Sequence, residues 1–175
     1  MHKNALWITR TAVSLALLIV LQAITMAFGN QIVTGSVVNL VLIVSVMICG
    51  LPTGLAVGLI SPFMAKLFGI GPFWSLIPFL AAGNATLVLL WRLIGTLKTR
   101  NKLIISIAAT VAAAVGKASI LYIGVVRIAI PFILDLSEQQ AKVISGMFSV
   151  TQLITATIGG VCATLILATL KKAVG

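Results

Sequence analysis

Long apolar runs separated by short polar breaks make up almost the whole chain. The first run extends from Thr11 to Phe28 and stops at Gly29-Asn30-Gln31. The second runs from Ile32 to Cys49 and ends at Gly50-Leu51-Pro52-Thr53-Gly54. A third covers Leu55 to Ile70, and a fourth begins near Leu76, after Gly71-Pro72-Phe73-Trp74, and ends near Ile94. Lys98-Thr99-Arg100-Asn101-Lys102 is the most hydrophilic break. The fifth run spans Leu103 to Leu134. The segment Asp135 to Lys142 holds both acids, and the last run covers Val143 to Leu170. A bilayer core about 30 Å thick takes about 20 helical residues. The runs are continuous and do not alternate apolar with polar, which selects helices over a barrel. The pattern predicts an all-α integral membrane protein, one domain over residues 1–175 with six transmembrane helices. The first run has 18 residues, above the 7–15 of a signal-peptide core, and no A-x-A site follows it. It is expected to be a retained first helix.

Composition sharpens this. Hydrophobic residues are 61% of the 175 and charged residues 8%, against about 45–50% and about 25% in soluble domains. Too few polar groups exist to cover a soluble fold, and the hydrophobicity excludes disorder. The net charge is +10, from 12 basic and 2 acidic residues. With six spans, Lys3, Arg10, Arg92, Lys98, Arg100, Lys102, Lys171 and Lys172 share one side. Lys66, Lys117, Arg127 and Lys142 do not. Basic residues concentrate in cytoplasmic loops. Both termini are therefore expected in the cytoplasm of a plasma membrane, and the basic excess calls for no nucleic acid. Cys49 and Cys162 lie inside apolar runs as core thiols, without a CxxC or a disulfide framework.

Catalytic chemistry has little to work with. His2 is the only histidine, and the two carboxylates stand three residues apart. No metal or acid–base set results, no cofactor is expected, and no G-x-x-x-x-G-K-[ST] loop binds nucleotide. No run carries a mid-membrane acid of the kind that proton-coupled carriers use.

The polar residues inside the runs are the candidates for binding. Lys117 lies 14 residues into the fifth run, about 21 Å from its start. A cation at that depth either serves a function or pairs, or snorkels to the interface. Tyr122 and Arg127 follow it, as ligand contacts or interfacial anchors. Asn39, Asn84 and Gln152 are intramembrane amides that bind ligand or cross-link helices. Phe73 and Trp74 cap a ligand or anchor the interface. Asn30 and Gln31 form the polar cluster of the first external loop. Except for Asn39 and Asn84, these residues fall toward the outside. Ala12 with Ala16, and Gly50, Gly54 and Gly58, have small-xxx-small spacing that permits close helix contact.

Three segments carry a family resemblance: Arg10-Thr11-Ala12 with Ala16; Cys49-Gly50-Leu51-Pro52-Thr53-Gly54-Leu55-Ala56-Val57-Gly58-Leu59-Ile60-Ser61-Pro62; and Gly69-Ile70-Gly71-Pro72-Phe73 with Pro78 and Gly83-Asn84. The chain resembles the substrate-binding S components of energy-coupling factor vitamin transporters, with their first-helix AxxxA and their G-x-x-x-G-x-x-x-G-x-x-x-P run. The resemblance implies a non-catalytic prokaryotic membrane subunit that captures a water-soluble vitamin outside. It implies docking through Ala12 and Ala16 on a transmembrane coupling subunit, toppling in the bilayer, and resetting by two cytoplasmic ATPases. Cobalamin is the first vitamin expected. A carboxylate vitamin paired with Lys117, such as pantothenate or folate, and hydroxymethylpyrimidine follow, although the Met-Pro-rich third helix of the pantothenate type is missing. A self-contained small transporter or channel and a ligand-free membrane scaffold are the competing classes.

Overall fold

The computed structural model describes residues 2–71, 73–98 and 101–174, with side chains for 4–71, 73–98 and 101–169. Pro72 and Arg100 lie outside the described residues, and the side chains of Lys3, Lys171 and Lys172 lie outside the described ones. Among the described residues the chain is helical, with no strand. Helices α1 (His2–Met26), α2 (Gln31–Cys49), α3 (Leu51–Leu67), α4 (Ile77–Gly95), α5 (Lys102–Leu121), α6 (Glu138–Met147) and α7 (Val150–Val174) follow in order. A 3₁₀ turn (Trp74–Leu76) leads into α4, and α5 continues as a π-helical stretch (Tyr122–Ala129) and a last turn (Ile130–Phe132).

Five stretches are long and apolar enough to cross a membrane: Asn4–Met26, Gln31–Cys49, Trp74–Gly95, Lys102–Phe132 and Glu138–Thr169. Helix α3 is apolar but shorter, at 17 residues. The helices close into a ring in the order α1, α2, α7, α5, α4, α3, and α2 also touches α3 and α4. Helix α2 therefore supplies much of the core: Leu42, Ile43 and Val46 are fully buried, packed with Val57, Leu87, Val88 and Trp91. The outside is apolar. On α1 alone Val13, Leu17, Val20 and Ile24 are exposed. An aqueous solvent would bury such a surface, whereas lipid tails solvate it, so these helices fit a membrane protein.

The turns depart from the expected boundaries for local reasons. The second break is one residue, Gly50, and α3 begins at Leu51 rather than Leu55. Proline belongs to a helix's first turn, where its missing N–H is no loss, so Pro52 starts α3 instead of ending α2. Gly50 makes the corner at φ +92, a conformation that costs glycine little. In the acidic segment, Ser137 and Gln140 form a reciprocal capping box that starts α6. The last apolar run is then broken at Phe148 and Ser149, between α6 and α7. Asn30 and Asn101 cap α2 and α5 through their side-chain oxygens.

Helix α7 fits between α2 and α5 because it carries adjacent glycines. A Cβ on Gly159 would lie 2.7 Å from the Asn39 Cβ and 2.8 Å from the Ser36 carbonyl oxygen. A Cβ on Gly160 would meet the Thr110 side chain. Gly159→Ala is expected to lower stability by about 1–3 kcal/mol through overpacking. Gly146→Ala, where a Cβ meets open space, is expected to raise it by about 0.5–1 kcal/mol. Thermal unfolding of both variants in detergent measures the opposite signs.

Candidate functional site

Lys117 is the centre of the polar interior. It stands on α5 with 3% of its surface exposed, yet no acid is its partner. The chain's two acids, Asp135 and Glu138, are both exposed. Its Nζ donates instead to two amide oxygens, Asn39 Oδ1 at 2.6 Å and Asn84 Oδ1 at 2.7 Å. As an ammonium it has three donors, so one remains. Each asparagine is oriented from behind by its NH₂ group. Asn39 donates to Thr155 Oγ1 at 3.4 Å, and Thr155 donates to the Gln152 carbonyl. Asn84 donates to the Gly58 carbonyl at 3.3 Å.

This last bond follows from the sequence of α3. Pro62 has no N–H, so the carbonyl four residues earlier, that of Gly58, loses its helical partner. Asn84 supplies the missing donor. A Cβ at Gly58 would lie 3.5 Å from Asn84, in ordinary van der Waals contact, so it is Pro62 rather than the glycine that opens this carbonyl to Asn84. Through these bonds one lysine ties α2, α3, α4, α5 and α7 together.

The lysine forms part of the wall of a cavity of about 450 Å³ at the end of the bundle that carries the α1–α2 and α3–α4 loops. Gln22, Asn30, Gln31, Thr34, Ser61, Asn84, Lys117 and Gln152 supply its polar lining, with apolar wall from Ile70, Ile77, Leu80 and Phe148. Ser61 Oγ is buried without a hydrogen-bond partner. Buried hydroxyls are ordinarily satisfied, and this one is closed off from the cavity by its neighbours.

The residues singled out from the sequence divide into three groups. Asn30, Gln31, Asn84, Lys117 and Gln152 line this cavity. Asn39 lies behind Lys117 and holds it. Phe73, Trp74, Tyr122 and Arg127 are exposed and not part of the lining. Asn30 also caps α2, and Gln152 Nε2 donates to the Met147 carbonyl. Ala12 and Ala16 are exposed on the outer face of α1, whereas Gly54 and Gly58 pack within the chain, against Val46 and Asn84. Cys49 and Cys162 are free and half-buried. Sequence reading passed over Gln22, Thr34, Thr155 and Ser61.

Asn39→Leu and Asn84→Leu are each expected to destabilise the protein by about 1–2 kcal/mol, by orphaning a donor of Lys117 and the groups behind it. In a Lys117→Met background each loss is expected to shrink by about 0.6–1.7 kcal/mol, the coupling typical of intramembrane hydrogen bonds. A double-mutant cycle by denaturant unfolding measures it. Among known proteins, no family model, curated protein or solved structure matches this chain.

Proposed function

We propose that the chain is the substrate-binding subunit of an energy-coupling factor vitamin importer, taking up a small anionic vitamin in the Lys117 cavity. The observation that carries this reading is a lysine held only by neutral amides, in the wall of a cavity that no acid lines. Amides accept two of the three hydrogen bonds of Lys117 but leave its charge uncompensated. In a low-dielectric surrounding that charge attracts an anion strongly. The remaining Nζ donor supplies a hydrogen bond to a carboxylate, and the apolar wall accepts the rest of the molecule.

Size chooses among vitamins. Ligand pockets for drug-sized molecules run about 300–1,000 Å³, and this one, about 450 Å³, is near the small end. Cobalamin, a corrinoid with a nucleotide arm, far exceeds it. A carboxylate vitamin of the pantothenate or folate class suits both the volume and the charge.

In this reading all six apolar segments span, including α3, whose 17 residues reach about 25 Å. Both termini are cytoplasmic and the cavity opens outward, in the plasma membrane of a prokaryote. The exposed Ala12 and Ala16 supply a flat stripe on which a coupling subunit's helix can pack, and two ATPases on that subunit supply the energy.

Two measurements test the proposal. Affinity purification of the tagged chain in mild detergent is expected to recover one larger membrane subunit and two ATPases, and Ala12→Leu/Ala16→Leu is expected to lose them. Calorimetry against a vitamin panel is expected to find one carboxylate ligand. Lys117→Gln should bind it about 10–150-fold more weakly, the worth of a hydrogen bond to a charged group. A chain that purifies alone and binds no vitamin would overturn the assignment.

A further inference from the structure

A second, larger cavity of about 840 Å³ lies at the opposite end of the bundle, between the last turns of α4 and α7 and the first turn of α5. Three cations line it: Arg92, Lys98 and Lys102. No acid does. Trp91, 1% exposed, is among the lining residues, with its indole Nε1 shut away from the cavity by packing. The first turn of α5 adds the positive end of a 20-residue helix.

The walls define the rest of the ligand. Leu97 and Leu103 line the same cavity and are more than half exposed, and Leu93 continues that apolar surface on α4. A free phosphate has no use for such a wall. A molecule with a phosphate at one end and hydrocarbon at the other matches both parts. Basic pockets between membrane helices on the cytoplasmic side hold anionic lipid head groups in this way.

We infer that this cavity is a binding site for the phosphate head group of an anionic phospholipid. Arg92, Lys98 and Lys102 neutralise the phosphate, and Leu97 and Leu103 meet the acyl chains. The site is independent of the vitamin cavity and does not need that reading to hold.

Native mass spectrometry of the full chain, released from micelles containing equal phosphatidylglycerol and phosphatidylcholine, tests the inference. Wild type is expected to retain phosphatidylglycerol preferentially. Each cation removed is expected to cut the preference about fivefold, from the worth of one cation at an anionic lipid surface. Arg92→Gln/Lys98→Gln should therefore lower it about 25-fold. Lys98→Gln alone, at an exposed position, serves if the double variant does not fold, with a fivefold loss expected. Lys142→Gln, on α6 at the other end, should leave the preference unchanged. Equal retention of the two lipids overturns the inference, as does an unaltered preference in Lys98→Gln. Displacement of the bound lipid by millimolar inorganic phosphate would also overturn it, by making the site one for a free anion.

Discussion

One buried cation organises the membrane interior of this protein. Lys117 sits among helices with two amide oxygens as its acceptors. Moving such a charge out of water is expensive unless it is paired and hydrogen-bonded. An aspartate at position 39 or 84 would have closed the account with an ion pair and left the interior neutral. Asparagine does something different. It meets the geometric demand of the ammonium and leaves the positive potential standing. In the function proposed above, that residual charge is what draws an anion into the cavity.

The surrounding sequence serves that arrangement. Gly159 lets α7 approach Asn39, and Thr155 one turn earlier accepts its amide proton. Gly58 and Pro62 present a bare carbonyl to Asn84. The glycines and the proline around α3 thus have separate physical duties: a corner at Gly50, contact with Val46 at Gly54, and release of the Gly58 carbonyl at Pro62. Five helices are fixed to one another by few hydrogen bonds, which suits a bilayer, where the hydrophobic effect does not drive helix association. The two ends of the bundle then specialise. One holds a lysine among amides, the other three cations without an acid.

Much of this was legible in the sequence because hydropathy marks helices that contact lipid. The second and fourth runs became α2 and α4 within a residue or so, whereas α1 begins at His2, nine residues before Thr11, and the fifth run is α5 followed by a π-helical stretch and a last turn. Local chemistry was harder to read. Pro52 looked like a break and is a helix start, since proline's effect depends on which side of the turn it occupies. The capping role of Asn30 was open to the same inspection as its place at the cavity mouth. Lys117, Asn39 and Asn84 stood out one by one as polar residues in apolar runs. Their convergence could not be read, because 78 residues separate Lys117 from Asn39 and 33 separate it from Asn84. Ser61 and Trp91 carried no sequence signal of being unpartnered, which is a property of packing alone.

The most direct test of the account is chemical. The full chain, purified from a prokaryotic host grown in rich medium, is denatured, and the released small molecules are identified by mass spectrometry. The account predicts one carboxylate-bearing vitamin in near-stoichiometric amount. Release of a corrinoid, or of a neutral molecule in that amount, would contradict the claim that the uncompensated charge of Lys117 selects the ligand.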